Sequence, residues 1–456
     1  MYSRNLFVLD FVRRFFVSCA QIFKAYAVRT LMKFGCDWRK ISHTIKCKKD
    51  SESTHNQSGG TIIMKKIMIL GAGIYQVPLI KTAKKLGLYT IVVSIPGNYP
   101  GFELADKVYY ENTVDDEKIL EIAKEEQIDG IITTGTDVCV ITIGKVCDAM
   151  GLAGLSYEAA QIAVDKMLMK TKYEEYGVRT ARFRKVLFSD PDIKKTIEGL
   201  EFPLIFKSVD SSGSRGITRV DSYDKFDSAM NYVKENTRKD YFLIEEFVEG
   251  EEFGAQAFVY NGEVQFILPH GDYVFHGDTG VPIGHFAPYN LNEDVIEDAK
   301  EQLRGAVKAM QLDNCAINAD FILKDNKTYV LELGGRCGAT CLAELTSIYY
   351  GFDYYEKILR TALGENPHFT FDKPFVPNAS HLLMSDKDGI IKSQVDHNEP
   401  NEDICEVEFD YKPGDEVHKF HVGPHRIGHI ITKGETLEDA QKLLFEAMDK
   451  VEITVE

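Results

Sequence analysis

The chain has 456 residues and a net charge of −17, with 44% apolar and 27% charged side chains. That length exceeds one compact core and suits about three packed units, and the ordinary composition excludes global disorder, collagen-like and repeat architectures. The acidic balance argues against a protein that grips nucleic acid through its phosphates, so no nucleic-acid partner is expected.

The charge is uneven. Residues 1–60 hold eleven Lys/Arg against four Asp/Glu, whereas the remainder carries 42 basic against 66 acidic groups. The nine cysteines include no Cys-x-x-Cys pair, and an odd number cannot all pair internally. A reducing, cytoplasmic setting is the expectation.

From Leu6 to Phe34 apolar residues recur at helical spacing, as in Val8, Phe11, Val12, Phe15, Cys19, Ile22, Phe23 and Tyr26. Asp10, Arg13 and Arg14 break the run too early for a membrane span, and no clear secretory cleavage pattern follows. Two readings remain for residues 1–63: a poorly packed basic extension, which we favour, or an amphipathic helix on a membrane surface through residues 1–45. Both are followed by the polar linker Lys48–Gly60. Met64-Lys65-Lys66, set directly before an apolar strand, looks like a natural chain start.

Beyond it, strand and helix alternate. Lys66–Leu70 reads as a strand, followed by Gly71-Ala72-Gly73 and a helix to about Leu86. Strands at Tyr89–Ile95, Lys107–Tyr110 and Gly130–Thr133 come next, with helices from Asp115 and up to Met150. This is the rhythm of a parallel, doubly wound sheet, and residues 64–155 read as a small Rossmann-like domain. The glycine fingerprint for a dinucleotide is incomplete. Gln76 stands at its third glycine, and the second strand ends Ser94-Ile95-Pro96 with no acid for a ribose hydroxyl.

Helices Ser156–Ala163 and Lys166–Tyr176 lead into strand Pro203–Ser208, a glycine-bearing loop Asp210–Gly216, strand Ile217–Val220 and helix Ser222–Glu235. Longer strands follow at Tyr241–Phe247, Glu252–Tyr260 and Glu263–His270. Helix Glu293–Met310 precedes a hairpin, Ala316–Leu323 with Thr328–Leu333. Residues from 366 onward read as β-rich and close with a capped helix from Thr436 to Met448.

Four features carry chemistry. Lys207 ends a buried strand beside the loop Ser211–Gly216, a combination that suits polyphosphate. The acidic run Ile244–Glu252 sits at a strand break, where exposed backbone and carboxylates can meet a purine and a ribose. Asp320 and Glu332 lie on opposite arms of one hairpin, each inside an apolar strand, and such paired acids suit Mg²⁺ or Mn²⁺. Arg336 follows the second acid after two glycines and can fork onto a phosphate or carboxylate. Each feature alone has a plain structural explanation: a turn, a solvated acidic loop, a buried acid with its base, or a surface ion pair.

Together, their order and spacing resemble the ATP-grasp superfamily, which includes biotin carboxylase and the ATPase subunit of phosphoribosylaminoimidazole carboxylase. The resemblance covers residues 64–456. It implies an ATP-grasp domain at 156–365, preceded by the Rossmann-like domain and followed by a small β-rich domain at 366–456. It further implies Lys166 and Lys207 as nucleotide lysines, and Ser212, Gly213, Ser214 and Gly216 as the phosphate lid. Glu245, Phe247 and Val248 would hold adenine, Glu252 the ribose, and Asp320 and Glu332 the metal. One departure stands out: many relatives carry an asparagine metal ligand where this chain has Gly334.

Thr136, Asp137 and His285 are the expected substrate contacts. Thr136 and Asp137 end a parallel strand, where open sheets bind ligands, and His285 flanks the nucleotide region with His270 and Asp272. The expected activity is ATP-dependent joining of a small-molecule carboxylate to an amine or thiol through an acyl phosphate, with Arg336 catalytic and a homodimer as a candidate assembly. A bicarbonate-using carboxylase and a non-catalytic nucleotide-binding regulator are the alternatives.

Overall fold

The computed structural model describes residues 64–211, 215–277 and 280–456. The amphipathic segment, the polar linker and the loop residues Ser212, Gly213 and Ser214 lie outside the described residues. Among the described residues no helix is long and apolar enough to cross a membrane.

The first layer is a parallel sheet of β1 (Lys66–Leu70), β2 (Tyr89–Ser94), β3 (Lys107–Tyr110) and β4 (Gly130–Ile132), in the order β3-β2-β1-β4. Unbroken apolar runs such as Ile67–Leu70 are what a strand covered on both faces requires. Helices α1 (Val77–Lys85), α2 (Gly101–Leu104) and α3 (Asp116–Glu126) connect them, and α4 (Val140–Met150) follows β4. Met68, Leu70 and Ile91 pack against Ile119, Ile122 and Val146, while Ile67, Ile69 and Val92 face Leu79, Ile80 and Ala83. Gln76 explains the broken dinucleotide fingerprint. Its buried side chain accepts from Gly73 N at 3.0 Å and donates to Thr134 O at 2.6 Å, filling the turn over Gly71.

Asp165 joins α5 (Tyr157–Val164) to α6 (Lys166–Tyr176), and its carboxylate caps α6 at the N–H groups of Met167 and Leu168. A small antiparallel sheet follows, built from β5 (Phe183–Leu187), β6 (Leu204–Lys207), β7 (Ile217–Val220) and β8 (Tyr241–Glu246), in the order β5-β8-β6-β7. Helices α7 (Ile193–Thr196) and α8 (Phe226–Glu235) accompany it, with Phe206, Phe226 and Phe242 in its core. Strand β5 went unread in the sequence because only Val186 of its five residues is buried, so no alternation marks it.

The largest layer is an eight-stranded sheet. Its strands are β9 (Glu251–Tyr260), β10 (Glu263–Val274), β11 (Pro282–Ala287), β12 (Cys315–Lys324), β13 (Lys327–Gly334), β14 (Asn378–Leu383), β16 (Ile404–Phe409) and β18 (Gly428–Lys433), in the order β13-β12-β9-β10-β11-β14-β18-β16. The strands after residue 366 therefore extend this sheet, and only β15 (Gly389–Asp396), β17 (Glu416–Val417) and β19 (Val451–Val455) form a separate one. Helices α9 (Glu293–Met310), α10 (Leu342–Tyr350), α11 (Tyr354–Ala362) and α12 (Leu437–Met448) cover these sheets, and Thr436 with Asp439 forms a capping box on α12.

Alternation divides the large sheet's two faces. Ala255, Ala257, Ile317, Ala319 and Phe321 pack beneath Met169, Tyr173, Leu303 and Val307. The intervening residues, Gly254, Gln256, Asn318, Asp320 and His270, therefore share the opposite face.

Candidate functional site

The polar face of the large sheet carries a continuous row of chemistry-bearing residues. Glu332 on β13 lies directly opposite Asp320 on β12, Asp320 opposite Gly254 on β9, and Gly254 opposite His270 on β10. Gly254 is what lets the row close up: a Cβ there would sit 2.1 Å from the His270 ring. Burial and the charges of Glu332, Asp272 and Glu252 push the Asp320 carboxyl well above the usual carboxylate range. Burial and the neighbouring Asp272 likewise raise Glu252. So many clustered carboxylates lack a compensating charge, and a divalent cation with oxygen preference fits this donor set.

Two lysines on one face of α6 answer part of that charge. Lys166 Nζ lies 3.0 Å from Glu332 Oε2 and donates to Ser211 O at 2.9 Å. Although burial opposes it, the Glu332, Asp137 and Asp320 carboxylates raise the Lys166 pKa. One turn on, Lys170 is 2% exposed and pairs with Glu245 Oε1 at 3.0 Å, while Lys207 pairs with Glu245 Oε2 at 2.6 Å. Burial alone would raise Glu245, but the two ammonium groups hold it down to about 2. The Glu245 carboxylate is thus occupied by lysines, and its backbone is paired within the sheet, opposite Phe183 on β5 and Ile205 on β6.

Phe247–Gly250 is the short connection between β8 of the small sheet and β9 of the large one. Phe247 N bonds Pro203 O at 2.9 Å, its ring lies under the Arg219 guanidinium, and Val248 is half-buried beside it. Gly216 needs its glycine: φ is +68° and a Cβ would meet Ser208 Oγ at 2.5 Å.

Just past the end of β13, on the Glu332 side of the row, Arg336 Nε and Nη2 fork onto Asp137 at 2.8 and 2.7 Å. Burial would raise Asp137, but the guanidinium lowers it. Thr136 stands beside this pair, its hydroxyl accepting from Val138 N. Gly334, the departure from the asparagine pattern, faces Asp137, with a Cβ there placed 3.3 Å from Oδ1. Asn318 is its cross-strand neighbour and supplies an amide the sequence reading overlooked, with its Oδ1 held by Gln256 Nε2 at 2.6 Å. Both polar residues interrupt apolar strands, a signal as legible as that of Asp320, and Lys170 was missed because it repeats at helical spacing behind Lys166. His285 and His270 each place Nδ1 on Asp272 Oδ1, at 2.6 and 3.0 Å. The pairing adds Asp272 to the same acidic face.

Comparison with known proteins matches residues 200–344 to the ATP-grasp domain family and residues 381–456 to the L-amino acid ligase C-terminal domain 2 family. The alanine–anticapsin ligase of Bacillus subtilis (strain 168) is 24% identical over 285 residues, covering 57% of this chain and 60% of that protein's own length. A crystal structure of phosphoribosylglycinamide synthetase from Anaerococcus prevotii is 36% identical, with a TM-score of 0.76, and covers 86% of this chain and 100% of that one. The biotin carboxylase domain of Hydrogenobacter thermophilus 2-oxoglutarate carboxylase, solved with MgADP and bicarbonate, shares the fold at 18% identity and a TM-score of 0.73, over 87% of this chain and 92% of that one. With the ATP-grasp domain matched directly and a solved relative 36% identical over its whole length, the chain belongs to the ATP-grasp superfamily.

Proposed function

We propose that the chain is an ATP-dependent carboxylate–amine ligase. The observation that carries this reading is that Asp320 and Glu332 face each other across the hairpin with Lys166 on Glu332 and the Arg336–Asp137 fork close by. The matches to ligase families and to a synthetase support the same class.

In this reading ATP lies between the small and large sheets. The Phe247–Val248 backbone meets the base beside Glu245, Glu252 meets the ribose, and Lys166, Lys207 and the Ser212–Gly216 loop meet the phosphates. Lys170 positions Lys207 by sharing Glu245. Asp320 and Glu332 would hold Mg²⁺, which when bound neutralises phosphate charge. A substrate carboxylate oxygen attacks the γ-phosphorus, the bond to the β-phosphate oxygen breaks, and ADP leaves. The amine nitrogen then attacks the acyl carbon, phosphate departs with the bonding pair, and the nitrogen loses a proton. Arg336, fixed in orientation by Asp137, offers its remaining N–H edge to the charge that develops, and Thr136 and His285 line the substrate side.

ADP release measured across a panel of small acids, with and without amino-acid amines, tests this reading. Turnover requiring both an acid and an amine supports it. Turnover with bicarbonate alone makes the chain a carboxylase instead, and nucleotide binding without ADP release under any condition makes it a regulator.

A further inference from the structure

A second cluster of metal-ligating side chains lies at the far end of the large sheet from Asp320 and Glu332. Glu406 and Glu408 are two apart on the edge strand β16 and so share a face, and His429 stands directly opposite Glu408 on β18. One ligand atom from each of the three falls within 4.8 Å of the others.

Charged side chains on an edge strand often do no more than discourage unwanted strand pairing. His429 is what that explanation leaves over. It is 3% exposed, and neither ring nitrogen makes a hydrogen bond. Nε2 is aimed at the acids, 3.4 Å from Glu406 Oε2 but without hydrogen-bond geometry. A buried imidazole whose Nε2 meets a carboxylate only at 3.4 Å, outside hydrogen-bond geometry, is costly, and coordination at that nitrogen is one way to reduce the cost. The same ring lines a cavity together with Tyr75, Glu344, Tyr355 and Arg426, so the cluster has room on its inner side.

We propose that Glu406, Glu408 and His429 form a divalent transition-metal site, with zinc as the ion it suits best. Two carboxylate oxygens and one imidazole nitrogen match zinc, cobalt or manganese better than magnesium, and three protein ligands leave a coordination position for water. Lys81 takes Glu408 Oε1 at 2.9 Å, so Oε2 is the oxygen on offer and the lysine fixes that carboxylate as an outer partner. With Lys81 counted, the local charge is −1, which a dication over-compensates only slightly. Ligand bonds of about 2.0–2.2 Å require the atoms to close up by roughly 1 Å. The side chains of Glu406 and Glu408, 41% and 34% exposed, are free to do so.

Zinc uptake by the full-length chain tests the proposal, measured by equilibrium dialysis and by titration calorimetry with excess Mg²⁺ present. The wild type should bind one zinc equivalent that Glu406→Gln/Glu408→Gln loses or binds at least about tenfold more weakly, with circular dichroism confirming that the variant is folded. His429→Asn should abolish the visible cobalt(II) spectrum of the same site, and Glu332→Gln should leave zinc uptake unchanged. Equal stoichiometry and affinity in wild type and the Glu406/Glu408 variant, or no saturable zinc uptake in the wild type, would overturn it.

Discussion

Glu245 shows how one buried acid can hold two lysines in place. It is 1% exposed and lies between two ammonium groups, so its neutralisation leaves both without a compensating carboxylate. Breaking a buried ion pair from one side typically costs about 3–5 kcal/mol, and Glu245→Gln should lower unfolding free energy by that order in denaturant titration. The pH dependence follows from the sign of the shift. The folded value of about 2 lies below the ordinary 4.5, so the stability Glu245 contributes is present above about 4.5 and is lost as pH falls toward 2. In Glu245→Gln that part of the acid slope should vanish; an unchanged slope would show the pairs are not coupled as described. Lys207→Met should weaken nucleotide binding about tenfold to a hundredfold, because charge-assisted bonds contribute roughly 1.5–3 kcal/mol. Lys170 still compensates Glu245 in that variant, so its loss of stability should be smaller than that of Glu245→Gln.

At the scale of elements, the β12–β13 hairpin and its neighbour β9 set the spacing of the acids. Asp320 faces Gly254, and the space above that glycine belongs to the His270 ring. Gly254→Ala should therefore displace the imidazole and cost about 1–3 kcal/mol, as overpacking does. Thermal melting of that variant checks it, and an unperturbed melt with normal turnover would count against close packing in the row. Much of this was legible in the sequence. Asp320 and Glu332 announce themselves as acids inside apolar strands, and Asp325 and Asn326, at φ of 51° and 57°, turn the hairpin the sequence marks. The strand β5 was not legible, because a strand with one buried residue has no period to detect. Helix α10 was also missed. Its start at Thr340 and Cys341, both with positive φ and without a side-chain cap, follows none of the usual start signals. The Asp137–Arg336 fork lay beyond reach for another reason: its partners are 199 residues apart, and only the packing of two layers joins them.

For the whole molecule, the decisive feature is a large sheet whose acid cluster is only partly compensated by Lys166, with Asp137 of the Rossmann-like layer brought beside it through Arg336. Replacing one ionisable carboxyl of that cluster by an amide should relieve the burial and repulsion that oppose its ionisation when no cation is present. Asp320→Asn should accordingly melt at or above the wild-type temperature without metal, while losing the upward shift that Mg²⁺ gives the wild type. A Mg²⁺ shift retained in Asp320→Asn would place the cation elsewhere. Glu332→Gln should abolish ADP release while sparing much of the nucleotide affinity, because the lysines and loop backbone still hold the phosphates; equal losses in both would merge the two roles.

The acyl phosphate is the most direct target. With ATP, Mg²⁺, an accepted carboxylate and hydroxylamine in place of the amine, the wild type should form the hydroxamate of that carboxylate in step with ADP, and Glu332→Gln should form none. ADP release that depends on the acid yet yields no hydroxamate, or that needs only bicarbonate, would contradict the ligase mechanism.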